Sequence, residues 1–246
     1  MERLDAARID VPGVAVRILE RCASTNSALL EDSGDLPALL AAEEQTAGRG
    51  RRGRRWHSSP GGDITFSLSR RMARPARELP ALSLVAGVAV ATVLRAQGAP
   101  GVTLKWPNDL MVDGAKLGGI LVETRADRAV VGVGINCRAV PGLERRLRRR
   151  VAVLQDAHSR NHLIQEIARG LLAALERFDE DGFEALRTQW ESMDAHAGQR
   201  LRVRLADGRS LSGIGAGLAP DGALRLRTRR GERDVRNGRI VSAGAA

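Results

Sequence analysis

No regular element can run through Gln45–Trp56, QTAGRGRRGRRW, and the rest of the chain has to fold around that interruption. Gly48, Gly50 and Gly53 alternate there with Arg49, Arg51, Arg52, Arg54 and Arg55. Glycine at that density weakens a helix or strand through backbone entropy, and it lets the chain take positive φ and approach a ligand closely. The guanidinium groups add rigid donor forks suited to carboxylate and phosphate oxygens. Trp56 closes the run with a flat apolar face able to stack on a ring. A Gly/Arg run alone also describes a disordered, RNA-binding-like tract. Here Leu39–Glu44 (LLAAEE) and Ile64–Ser69 (ITFSLS) read as strands on either side. The run is therefore a loop held at both ends, of the kind that binds anions.

Around this loop the chain reads as alternating strands and helices. Residues 1–13 are polar, end in Pro12-Gly13 and read as a loose start; Val14–Leu19 alternates as a strand. Ser24, Thr25 and Asn26 offer caps for a helix through Leu29 and Leu30, and a hydroxyl-rich helix start also suits a polar head group. Leu82–Leu94 is apolar nearly all round, which marks a buried helix. Val102–Thr124 reads strand, bend, strand, hairpin, strand, with Asp113-Gly114 as the hairpin turn and Trp106–Asp109 as the bend. Ala129–Ile135 is a buried strand ending in Asn136. Glu144–Arg150 (ERRLRRR) reads as a solvated face or loop. His162–Phe178 carries an apolar stripe at helical spacing, and Phe183–Trp190 reads as a shorter helix. Beyond Asp194–Gln199, short strands separated by Asp207-Gly208 and Asp221-Gly222 predict a small all-β module, a barrel.

Composition narrows the classes. A length of 246 residues allows one large domain or one domain with a small companion. No run of about 18 wholly apolar residues predicts a membrane span, and the charged N-terminus makes a cytoplasmic location the default. Cys22 and Cys137 are too few for a disulfide framework and read as reduced structural thiols. His57, His158, His162 and His196 lack metal-ligand spacing. The net charge of +10 invites a nucleic-acid reading. All but two of the 39 basic residues are arginine, however, so the excess also reads as a compositional habit. The exceptions, Lys105 and Lys116, fall in LKWPNDL and AKLGGIL, where a compact point charge on a thin stem differs from a guanidinium.

Five segments in order, Ser24–Asn26 (STN), Glu43–Trp56 (EEQTAGRGRRGRRW), Lys105–Leu110 (KWPNDL), Lys116–Glu123 (KLGGILVE) and Gly132–Asn136 (GVGIN), closely resemble the biotin–protein ligases. Arg187–Leu205 and Gly213–Leu226 are similar to that family's small C-terminal domain, so the likeness covers about residues 14–242. The resemblance implies an α+β fold: a class II synthetase-like catalytic domain over residues 1–195, a mixed β-sheet flanked by helices. A small SH3-like β-barrel over residues 196–246 follows. It implies that biotin and ATP form biotinyl-5′-AMP, and that a lysine of a biotin carboxyl carrier domain of a biotin-dependent carboxylase then attacks the adenylate. Ser24, Thr25, Asn26, Gln45, Gly48, Arg49, Gly50, Arg51 and Lys116 are the implied biotin contacts. Arg49, Arg51, Arg54, Trp56, Lys105, Asn108, Asp109, Lys116 and Asn136 are the implied ATP and adenylate contacts. Lys116 and Arg51 are the implied catalytic pair. No metal is expected on His or Cys; Mg²⁺ is expected with ATP, near Asp109. The loop is expected to be disordered in the free enzyme and to close over the adenylate, excluding water.

Too few residues precede Ser24 for the winged helix-turn-helix of some bacterial members. The resemblance therefore implies a monofunctional ligase without DNA binding, a monomer or homodimer. Three alternatives stay open. A lipoate or octanoate ligase or transferase shares the fold. A non-catalytic nucleic-acid-binding module would need aromatic platforms, yet the chain has no Tyr and three Phe. A non-catalytic biotin sensor would not require Lys116.

Overall fold

The computed structural model describes residues 2–34, 37–154 and 159–244. A parallel βαβ unit opens the fold: β1 (Ala15–Cys22), α1 (Thr25–Glu31) and β2 (Ala38–Gln45). Ser24 takes extended backbone and its hydroxyl accepts from Ser27 N–H, which caps α1 as its sequence predicts. After the Gly/Arg loop come β3 (Ile64–Arg71), α2 (Leu82–Ala96), β4 (Thr103–Lys105), β5 (Asp109–Val112), β6 (Ala115–Arg125) and β7 (Arg128–Ile135). The seven strands form one mixed sheet in the order β1-β2-β3-β7-β6-β5-β4, in which only β1 and β2 run parallel. Asp113 and Gly114 both take positive φ in the β5–β6 hairpin, the backbone that an Asp-Gly turn favours.

Strand alternation splits this sheet between two layers. On one face Leu39, Ala41, Phe66, Leu68, Val131 and Val133 enter the main core. That core is closed by α2, α4 (Arg160–Asp181) and α5 (Glu184–Glu191). Each fully buried aliphatic side chain contributes about 1.5–3 kcal/mol. On the other face Leu29 of α1 covers only Ala38, Leu40 and Val130. Beyond that small cluster this face carries Ser67 and Gly132, set opposite one another in the β3–β7 register. The segment Leu79–Ala96 has the length and mean hydropathy, 1.8, of a membrane span. Its apolar residues are packed between the sheet and α4.

Two expectations need correction. The sequence predicts a loose stretch at 1–13, but the described residues 2–13 are not loose: Leu4, Ile9 and Val11 are buried in the main core. Asn161 Oδ1 accepts from Asp5 N–H, Gln165 accepts from Asp10 N–H, and Arg160 donates to the Glu2 carbonyl. The Glu144–Arg150 cluster is not simply a solvated face or loop. It spans α3 (Leu143–Leu147) and a turn whose Arg148, Arg149 and Arg150 line the main cavity.

The second sheet comprises β8 (Arg200–Leu205), β9 (Ser210–Leu218), β10 (Leu224–Thr228), β11 (Gly231–Val235) and β12 (Gly238–Gly244). It is antiparallel throughout, in the order β11-β10-β9-β8-β12. The linker pairs with β4: Leu104 N–H donates to Met193 O and Ala195 N–H to Leu104 O. Trp106 Nε1 donates to Gly222 O, and Glu191 accepts from Leu218 N–H. Leu201, Leu218 and Ile240 join the main apolar cluster, so both sheets share one core. Cys22 and Cys137 are free thiols, and burial pushes Cys137 up to about 12, as fits an inert thiol.

Candidate functional site

A cavity of about 650 Å³ opens on the α1 side of the large sheet. It brings together Ser24, Thr25 and Asn26 from the start of α1 and Gln45 from the end of β2. Arg49, Gly50, Arg51, Arg54 and Trp56 come from the loop, Lys105, Asn108 and Asp109 from the β4–β5 bend, and Lys116 from β6. Two expected residues lie off its wall. Gly48 is buried in the stem of the loop, where its carbonyl accepts from Trp56 N–H at 2.9 Å. Asn136 is 7% exposed and its amide donates to the carbonyls of Lys116 and Ala152, each at 3.2 Å. That side chain fixes the strand that carries Lys116 and faces a minor recess shared with Trp56 and Lys116.

One end of the cavity is a polar chain. Thr25 N–H donates to Gln45 Oε1 at 2.8 Å. Ser67 Oγ lies 2.7 Å from Thr25 Oγ1 and 2.6 Å from Asn26 Oδ1. Asn26 Nδ2 donates to Leu121 O at 3.1 Å and Glu123 Oε2 at 2.9 Å. These acceptors fix the polarity. With both amide hydrogens engaged, Asn26 Oδ1 must accept from the Ser67 hydroxyl, which leaves the single Thr25 hydroxyl hydrogen to be shared between Ser67 Oγ and Gln45 Oε1, the latter at 3.2 Å. Gln45 Oε1 is occupied too, so its amide N–H groups and the Thr25 oxygen are what this end offers a ligand. Asn26 lines the cavity and also sets the polarity of the groups beside it.

The other end is cationic. Eleven Arg and Lys side chains line the cavity against one carboxylate, Asp109. Among the described residues only Arg49, paired with Glu123, and Lys116, paired with Asp109, have ion-pair partners there. Burial pushes the Lys116 ammonium down, Asp109 opposes the shift, and Arg149 and Arg54 add to it. Lys105 is lowered by burial as well, with Asp109 opposing and Arg149, Arg239 and Arg54 adding. Arg51 is lowered by burial and by Arg52 and Arg54. Cations packed this closely repel one another, and a polyanion would relieve that repulsion.

The loop itself is compact. Arg49 and Arg55 pair across it, Gly50 N–H donates to Arg54 O at 2.6 Å, and Arg52 takes left-handed backbone. Trp56 reaches back onto the sheet, where a Cβ at Gly134 would stand 2.5 Å from its ring. Its indole N–H is buried without a partner among the described residues, and Lys116 Nζ lies 6.0 Å from the ring centroid.

Sequence reasoning missed Ser67, Gly132, Glu123 and the wall built from Gly238–Val241 of β12. The outward alternation of Thr65, Ser67 and Ser69 on β3 was a usable signal for the first. For β12 the sequence carries none.

Among the described residues no group of three or more His, Cys, Asp or Glu side chains is placed to hold a metal. Asp109 is already engaged by Lys116. The donor set fits a hard cation that arrives on phosphate oxygens, not one held by the protein alone.

The cavity thus sets an end of oriented polar groups beside an end of concentrated positive charge. Residues 19–139 match the biotin/lipoate A/B protein ligase family. The chain is 36% identical to the bifunctional ligase/repressor BirA of Escherichia coli, over 92% of this chain and 74% of that protein. It is 33% identical to the biotin–[acetyl-CoA-carboxylase] ligase of Mycobacterium tuberculosis, over 92% of this chain and 86% of the relative. The biotin protein ligase of Aquifex aeolicus in complex with biotin and ATP superposes with a TM-score of 0.81 at 27% identity, covering 94% of this chain and 99% of that one. The chain belongs to the biotin/lipoate A/B protein ligase family.

Proposed function

We propose that this protein is an ATP-dependent biotin–protein ligase. It joins biotin and ATP into biotinyl-5′-AMP with release of pyrophosphate, then passes the biotinyl group to a lysine of a carrier domain in a biotin-dependent carboxylase. The observation that carries the reading is the cavity itself, in which one end presents oriented polar groups and the other a cluster of cations around Lys116. The named activities of the relatives point the same way.

In this reading Thr25, Gln45 and Ser24 hold the ureido head group, with Asn26 keeping them in register. Arg51 and Arg54 draw the biotin carboxylate and the α-phosphate together although both are anionic, which is electrostatic preorganisation. Lys116 lies between them and follows charge as it shifts from nucleophile to leaving group. Trp56 is the adenine platform, Lys105 and Asn108 flank the phosphates, and Mg²⁺ supplies charge screening when it arrives with ATP. Domain limits at residues 1–195 and 196–246, with an SH3-like second unit, go with this assignment, as does a cytoplasmic setting where carboxylases work.

The test is pyrophosphate release with Mg-ATP and biotin, lipoate, octanoate or no acid, with mass detection of retained acyl-AMP. Biotin-dependent release with bound biotinyl-AMP is expected. Release with lipoate or octanoate alone would overturn the substrate, and no release with any acid would overturn the reaction.

A further inference from the structure

Glu123 has no part in the chemistry above, yet one of its oxygens joins two parts of the site. Glu123 Oε2 accepts from Asn26 Nδ2 and from Arg49 Nη2, each at 2.9 Å. Asn26 belongs to the polar chain that ends at Gln45, and Arg49 belongs to the Gly/Arg loop. The stem of the loop is tied down by Thr46 N–H to Cys22 O and Ala47 N–H to Ala23 O, each at 2.9 Å, so what remains to be held are the residues beyond Ala47. Its arginines are largely exposed, and its internal pairing between Arg49 and Arg55 closes the loop on itself without touching the sheet. Beyond that stem, Trp56 and the Arg49–Glu123 pair fasten the loop to the site face. The carboxylate is half-shielded, with 26% of its side chain exposed, so the pair is charge-assisted and only partly screened.

We propose that Glu123 is a positioning residue that latches the Gly/Arg loop to the head-group pocket, so that the loop closes over a pocket whose hydrogen-bond polarity is already set. The acceptor-only carboxylate makes this one-directional. It takes a hydrogen from the Asn26 amide, which leaves Asn26 Oδ1 to Ser67, and a hydrogen from Arg49, which draws the loop down. A neutral amide at this position has the same size and its one oxygen can still take both hydrogens, since both bonds fall on Oε2, but it lacks the negative charge that strengthens the pair with Arg49. The latch predicts that pocket geometry and loop closure respond together to one side chain. The part of this inference that concerns adenylate retention rests on the proposed ligase activity; the tethering of the loop does not.

The experiment compares wild type with Glu123→Gln, Arg49→Gln and the double variant. The first readout is the rate of trypsin cleavage between Arg49 and Arg55 in the ligand-free protein. The second is the dissociation rate of biotinyl-AMP formed in place. Loss of a charge-assisted pair should raise both rates about tenfold in each single variant. If the two residues act as one unit, the double variant should match the singles rather than multiply them. Melting temperatures of the four proteins identify any loss that is merely structural. Wild-type cleavage rates in Glu123→Gln, or multiplying effects in the double variant, would overturn the latch. Failure of the wild type to form biotinyl-AMP would overturn the ligase reading instead, and the ligand-free cleavage rates would still decide the latch.

Discussion

A single added methyl at Gly132 tests the packing of the head-group pocket. A Cβ built there stands 2.1 Å from Asn26 Oδ1 and 3.0 Å from its Cγ. Real Cβ contacts do not fall below 3.0 Å, so Asn26 or β7 must yield by about 0.9 Å. Asn26 is 3% exposed and β7 pairs with a strand on each side, so neither moves freely. Overpacking of this kind costs about 1–3 kcal/mol. Displacing Asn26 also loosens its bonds to Ser67, Leu121 and Glu123, worth about 1 kcal/mol each and more for the carboxylate. Gly132→Ala should therefore lose roughly 3–6 kcal/mol, out of the 5–15 kcal/mol typical of a folded domain. For a chain of this length that corresponds to a fall in Tm of roughly 6–24 °C. Biotin affinity should fall with it, because Thr25 and Gln45 are oriented through the same chain. Gly101→Ala is the control, since a Cβ there meets nothing within 4 Å. Calorimetric melting and biotin titration are the assays. A Gly132→Ala protein that melts within 2 °C of wild type (~0.5 kcal/mol) and binds biotin unchanged would refute the argument.

Three further outcomes follow from described geometry. Lys116→Ala should slow pyrophosphate release by about 10²-fold or more while leaving the fold intact, checked by steady-state kinetics alongside circular dichroism. Arg160 is 5% exposed and donates to Glu43, the Asp63 carbonyl and the Glu2 carbonyl, so Arg160→Met strands a carboxylate and should cost about 3–5 kcal/mol. Hydrogen exchange over residues 2–11 should rise in that variant, and unchanged protection there would count against it. At the junction of the sheets, burial and then Glu191 raise Asp194 to about 6, while burial and then Lys105 lower His196 to about 4. Below its ordinary value of 6.5, His196 loses stability as pH falls toward 4, because only the unfolded chain takes the proton. Asp194 gains stability as pH falls from 6 toward 3.8, because the folded chain takes it first. The two trends oppose each other. Asp194→Asn should leave a stability that drops between pH 6.5 and 4, and His196→Gln one that rises as pH falls over the same range, both read from urea midpoints.

The elements were legible in the sequence because their physical signals are local. Alternation marked β1, short apolar runs marked β2, β3 and β7, the apolar girth of α2 required burial, and Ser24 and the Asp113-Gly114 pair marked a helix start and a hairpin. The loop was legible because strands flank its glycine- and arginine-rich run on both sides, and Arg49, Gly50, Arg51, Arg54 and Trp56 do line the cavity. What escaped depends on contacts between distant segments. Ser67 and Gly132 meet Asn26 only through the β3–β7 register, and Glu123 reaches Arg49 across 74 positions. The N-terminal segment fits neither strand nor helix period. Its burial is dictated by Arg160 and Asn161, some 158 residues downstream. Asn136 was placed in the right region, but which way its amide turns is set by the backbone of β6 and Ala152.

Both lysines of the chain stand on the cavity wall, and none lies elsewhere. The outer surface is therefore chemically silent toward amine-directed reagents, the α-amine aside. Burial lowers both ammonium groups, which increases the fraction present as free amine. An acylating probe such as an N-hydroxysuccinimide ester would consequently label the site and almost nothing else. Protection from that probe would report occupancy directly, without a tag or an engineered handle.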